Sequence, residues 1–133
     1  MNRGAPAFLG NMKVHVFSRT VAAIQVIQRN PTGKGEDTHR FYNADWIPFA
    51  DQMNTDLSHG SVSEPPECLP KLLSDAAKLG HAWGTYVRVD MYASQQGPIF
   101  GEYSSTPNQG RNFTPYADEY FGLIWQRECP DQV

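Results

Sequence analysis

Residues 86–107 read YVRVDMYASQQGPIFGEYSSTP. Val87, Val89, Met91 and Ala93 alternate with Tyr86, Arg88, Asp90 and Tyr92, the period of two that specifies a strand with one apolar and one polar face. Ser94, Gln95, Gln96, Gly97 and Pro98 interrupt the alternation with turn chemistry, and 99–105 reads as the returning strand. The stretch is therefore a β-hairpin. With the turn centred near Gln96, Asp90 and Glu102 come opposite one another, with Arg88 and Ser104 beside them on the same face. Like charges facing each other across a ladder repel, so the pair calls for an arginine, a shared proton or a cation, and a divalent metal fits.

Upstream of the hairpin, Pro65 and Pro66 announce a helix. Leu69, Leu72, Leu73, Ala76 and Ala77 recur at helical spacing, Gly80 reads as its stop, and Ser63 or Glu64 as its cap. Downstream, 108–112 (NQGRN) is a polar loop, and Thr114-Pro115 opens a last helix through about Arg127 that buries Tyr120, Phe121, Ile124 and Trp125. At the start of the chain, 12–18 and 21–29 are Val- and Ile-rich strands joined by a tight turn around Arg19 and Thr20. Segment 39–49 (HRFYNADWIPF) is a short strand followed by irregular aromatic chain, and 51–64 is a long polar loop. Gly33-Lys34-Gly35 lacks the spacing of a phosphate loop and reads as a solvated turn. We expect a flexible arm over 1–11 and a single domain over 12–133. The order strand, strand, short strand, loop, helix, strand, strand, helix is an α+β plan, an antiparallel sheet with helices packed on one face.

The chain has 133 residues, enough for one core, and a formal charge of -3 with no Lys/Arg cluster, so it has no basic field for nucleic acid. No apolar run approaches a membrane span and the first residues lack a secretory signal, so a cytoplasmic protein is expected. Cys68 and Cys129 follow no metal or redox spacing and read as reduced thiols. His15, His39, His59 and His81 share no ligand spacing and read as structural or surface residues.

Asp90 and Glu102, backed by Arg88 and followed by Ser104, Asn108 and Arg111, gather hard oxygen donors and cationic groups on one side of the sheet. Mg²⁺ takes one or two carboxylates together with waters and substrate phosphates, and arginines clamp phosphate oxygens in pairs, so the supply suits a magnesium nucleotide. The plainer alternative is a surface ion network in which Arg88 pairs with Asp90 or Glu102.

The run FYNADWIPF, a Leu/Ala-rich helix, YVRVDMY, IFGEYSSTPNQG and RNFTPYADEYFGLIW together resemble the C-terminal half of ATP-grasp proteins. The branch resembled is the TupA-like (teichuronopeptide biosynthesis-like) one, found near polysaccharide and glycopeptide synthesis genes, and the resemblance spans about 13–125. It implies a fold that clamps ATP between two α+β subdomains and activates a carboxylate as an acyl phosphate for attack by an amine, with Mg²⁺ and ATP as cofactors. It implies Mg²⁺ binding by Asp90 and bridging of two Mg²⁺ by Glu102, with Ser104, and Asn108 of the polar loop, as the further candidate metal ligands. Ser104 stands where the superfamily usually has asparagine, a stronger ligand than a hydroxyl. Arg88 takes a position that commonly faces the phosphates or the acyl intermediate, and Lys13 is similar to a nucleotide-facing lysine; Arg111 of the polar loop joins Arg88 as a candidate catalytic residue by its capacity to clamp phosphate. We expect the family's upstream subdomain, with its own lysine and glycine-rich flap, to be absent. We therefore expect either a reduced ATP-grasp unit that binds Mg-nucleotide with a partner, or a non-catalytic descendant whose sheet face binds a ligand or a second copy. A homodimer covering Tyr86, Tyr92 and Tyr103 is expected in both cases.

Overall fold

Three Val-rich strands form the centre of the sheet because each can bury one alternating face. The elements are β1 (Phe8–Phe17), β2 (Thr20–Gln28), β3 (Thr38–Tyr42), β4 (Ser58–His59), α1 (Leu69–Trp83), β5 (Tyr86–Ser94), β6 (Gly97–Ser104) and α2 (Pro115–Glu128). The structure, a computed structural model, describes residues 8–28, 37–53, 58–105 and 113–130. The strands lie in the order β4-β3-β2-β1-β5-β6, antiparallel throughout except for the β3–β4 pair. This is the α+β, antiparallel-sheet architecture expected from the sequence.

Met12, Val14 and Val16 of β1, Ile24 and Val26 of β2, and Val87, Val89, Met91 and Ala93 of β5 all point to one face, where Leu69, Leu72 and Ala76 of α1 cover them. Each such side chain taken out of water contributes roughly 1.5–3 kcal/mol before chain entropy is counted. Lys13, His15 and Phe17 of β1 point the other way. There Phe17, with Ala22 of β2, meets Ile124 and Cys129, flanked by Tyr120, Phe121 and Trp125 of α2. The sequence reading puts both helices on one face; strand parity divides them, α1 on the Val16 side and α2 on the His15 side. Tyr120 ties α2 down by donating its hydroxyl proton to the Ala22 carbonyl at 2.7 Å. Among the described residues, no helix is long and apolar enough to cross a membrane.

Several boundaries differ from the sequence reading. β1 begins at Phe8, inside the expected arm, because Asn11, Gly10 and Phe8 pair with Tyr92, Ala93 and Ser94. The β1–β2 turn is Ser18-Arg19, with Phe17 paired to Thr20 and Ser18 at φ 59, the left-handed conformation that two-residue hairpins favour. α1 starts at Leu69 with Cys68 as its N-cap, so neither Ser63 nor Glu64 caps it. Gly80 does not stop α1; it is buried inside it, while Gly84 at φ 122 ends the helix, with its N–H bonded to the Gly80 carbonyl. Gly80 is needed for contact rather than for termination, since a Cβ there would stand 2.7 Å from Val16 Cβ. α2 matches its expected start: Thr114 Oγ1 accepts the Ala117 N–H at 3.1 Å and Pro115 occupies the first turn.

Candidate functional site

β1, β5 and β6 lie side by side, and their polar faces make a small grid. Lys13 pairs with Asp90 and Asp90 with Glu102; one rung along, His15 pairs with Arg88 and Arg88 with Ser104. The Asp90–Glu102 and Arg88–Ser104 pairings are those read from the sequence, but they arise differently. The turn is Gln95-Gln96, with Ser94 paired to Gly97, and plain alternation from it would set Gly101 against Asp90. A β-bulge between the Met91–Phe100 and Asp90–Glu102 pairs leaves Gly101 as the extra residue and brings Glu102 across from Asp90.

Asp90 is 3% exposed and its carboxylate is fully engaged. Arg88 Nε donates to Oδ1 at 2.8 Å and Arg88 Nη2 to Oδ2 at 3.1 Å. Lys13 Nζ donates to the same Oδ2 from across the ladder at 3.1 Å. The two cations are themselves largely covered, their side chains 21% exposed for Lys13 and 12% for Arg88. Glu102 is exposed and makes no hydrogen bond or ion pair with any described residue. Lys13, Arg88, Asp90 and Glu102 thus sum to zero charge, with one carboxylate committed and one unpaired among the described residues.

His15 walls the site off from α2. It is 1% exposed, its ring 4.9 Å from that of Phe121 and 5.9 Å from that of Tyr86, and its Nδ1 shares a 2.7 Å hydrogen bond with the Tyr86 hydroxyl. Burial, aided by the charges of Arg88 and Lys13, lowers its pKa to about 3, so the imidazole is neutral. The same burial raises the Tyr86 phenol well above its ordinary value, Arg88 opposing and Asp90 reinforcing the shift. His15 belongs to the structural class assigned to it from the sequence. Its Nε2 has no partner among the described residues.

Asn108 and Arg111 lie outside the described residues, as does Gly33-Lys34-Gly35. Lys13, Arg88, Asp90, Glu102 and Ser104 are brought together. Among the described residues no group of three or more His, Cys, Asp or Glu side chains converges on a metal-sized space. The donor set nevertheless fits a metal carried with phosphate: two carboxylates suit Mg²⁺, and two adjacent cations suit the oxygens it would bring. It does not fit a bare divalent ion, which would meet Lys13 and Arg88 on the oxygens it needs. Two open depressions, of about 580 and 370 Å³, include none of these five side chains. The feature that sequence reasoning missed is the Gly101 bulge; its signal was a glycine inside an otherwise regular strand.

The family model described as TupA-like ATPgrasp matches residues 2–124 of the chain. No curated protein and no solved structure matches it significantly.

Proposed function

Because the chain belongs to the TupA-like ATP-grasp family, we propose that the polar face of β1, β5 and β6 binds a magnesium nucleotide. The observation that carries this is the pairing of Asp90, closed by Lys13 and Arg88, with Glu102 directly opposite and bound by none of the described residues. Asp90 and Glu102 would hold Mg²⁺, with the Ser104 hydroxyl beside them. When bound, the ion would screen the phosphate charge. Lys13 and Arg88 would take the phosphate oxygens, Arg88 through its planar fork. Lys13 and Arg88 would exchange Asp90 for the phosphate oxygens, which would leave the Asp90 carboxylate open to the ion. Metal and phosphate therefore help one another onto the site. The same reading extends to ATP-dependent carboxylate–amine ligation in polysaccharide or peptide modification, with Arg88 facing the reacting phosphate and a companion protein or second copy completing the enclosure.

Thermal-shift titration with Mg-ATP and Mg-ADP tests this, with Glu102→Gln as control. Ligand at 100 times its Kd stabilises by about 2.7 kcal/mol, a rise of a few degrees in a chain of this size. The shift should require metal and nucleotide together and vanish in the variant. No shift at millimolar nucleotide, or an unchanged shift in Glu102→Gln, would overturn the assignment.

A second reading, a non-catalytic module that binds a ligand or a second copy, is favoured by exposed apolar groups at the β6 end of the sheet. Trp83, Ile99 and Phe100 are 47%, 50% and 44% exposed, and Tyr103 bridges Trp83 and Phe100 with ring separations of 4.9 and 5.1 Å. Sedimentation velocity would support it if a dimer forms that Phe100→Glu dissociates.

A further inference from the structure

Glu102 reaches the site through a backbone irregularity that no side-chain contact replaces. Ile99 pairs with Tyr92 and Phe100 with Met91, so Ile99 shares the polar face and Phe100 the α1 face. Continued alternation would put Gly101 on the polar face, Glu102 under α1 and Tyr103 out on the polar side. The bulge shifts the count by one. Glu102 then faces Asp90, and Tyr103 turns under α1, where its hydroxyl donates to the Leu79 carbonyl at 3.3 Å. Both ends of β6 thus keep their required faces.

Residue 101 leaves little room for a side chain. A Cβ there would lie 2.8 Å from Tyr92 Cε2 and 3.0 Å from the Asp90 carbonyl oxygen. The Tyr92 ring occupies the space that a side chain would take, beside the backbone of the bulge. Glu102, lacking any hydrogen bond or ion pair with described residues, has only its backbone to set its direction.

We propose that the Gly101 bulge, braced by the Tyr92 ring, is a positioning element that aims the Glu102 carboxylate, and that Gly101 and Tyr92 are positioning residues for metal binding. This rests on the magnesium-nucleotide reading. A bulge bends its strand and increases the local twist, which re-aims the following side chain. Small errors in the support of a ligand are costly: losing a group that orients one lowers metal affinity on the order of ten- to a hundredfold.

Deleting Gly101 separates direction from register. Without it, Phe100 still meets Met91, Glu102 still meets Asp90 and Tyr103 still meets Val89, but on a regular ladder. The probe is Mn²⁺ with ADP, bound metal being counted by electron paramagnetic resonance and folding followed by thermal melting without ligand. The deletion should fold with Tyr103 in place and bind Mn²⁺–ADP at least about tenfold more weakly. Gly101→Ala should weaken binding as well, by pressing a methyl on the Tyr92 ring and the Asp90 carbonyl, and Tyr92→Ala alone should weaken it by removing the brace. Wild-type affinity in a folded deletion overturns the positioning role, as does wild-type affinity in Gly101→Ala should the deletion not fold. Binding by the wild type that is lost in Glu102→Gln yet unchanged in the Gly101 variants overturns the inference alone. No binding by the wild type overturns the magnesium-nucleotide reading and the inference with it.

Discussion

Glu102 stands directly across the ladder from Asp90, yet Asp90 is gripped by two cations and Glu102 by none of the described residues. Two carboxylates at one rung thus have different work: one ties the charges of β1 and β5 together, and the other has no partner among the described residues.

That division should separate stability from binding. Asp90→Asn leaves Lys13 and Arg88 half-buried without their counter-charge, which should cost about 3 kcal/mol in urea unfolding. Glu102→Gln removes an exposed charge that no described residue pairs and should stay within about 0.5 kcal/mol of wild type. Equal losses would mean that the ion pairs at Asp90 contribute nothing to the fold.

His15 should make the protein acid-sensitive. Its folded pKa is about 3, against roughly 6.5 when unfolded, so the unfolded chain binds the proton more readily between these values. The contribution is complete above pH 6.5 and is lost as pH falls towards 3, at a limiting slope of about 1.4 kcal/mol per pH unit. Urea unfolding across that window should show a shallower slope in His15→Phe. An unchanged slope would mean that His15 is protonated inside the fold.

The α1–sheet contact is set by Gly80. Gly80→Ala adds a methyl 2.7 Å from Val16 Cβ, and Val16 is fully buried. The gain in helix propensity, about 1 kcal/mol, is outweighed by overpacking of roughly 1–3 kcal/mol, so the melting temperature should fall. Adding Val16→Ala should recover part of it; a Gly80→Ala chain more stable than wild type would refute the contact.

Thr114 joins two elements. Its hydroxyl accepts the Ala117 N–H at 3.1 Å and donates to the Gln52 carbonyl at 2.6 Å, while its N–H bonds to the Met53 carbonyl at 3.2 Å. Thr114→Ala should cost about 1 kcal/mol, whereas Thr114→Ser should be close to neutral in the same unfolding measurement.

The face of each β5 residue was legible because Val87, Val89, Met91 and Ala93 repeat at the period of a strand, and all four are buried in the structure. Proximity of Lys13 to Asp90 was not, since nothing local in 12–18 says which strand lies beside it; that follows from β1 sitting between β2 and β5. The division of the helices was hidden for a related reason. Apolar residues occur on both faces of β1, Val14 and Val16 on one and Phe17 on the other, and only packing reveals which helix each meets. Gly80 was misread because a glycine near a helix end signals a stop unless a neighbouring strand needs the space.

β6 is the last strand of the described sheet, and an outer strand offers bare backbone groups to any other chain in extended form. Pro98 lacks one of those donors, and the Gly101 irregularity twists the rest out of line. The device that directs a carboxylate thus also makes this border a poor template for fibre growth. Regularising it by deletion would lengthen the flat stretch carrying Ile99 and Phe100, and with it the tendency to aggregate.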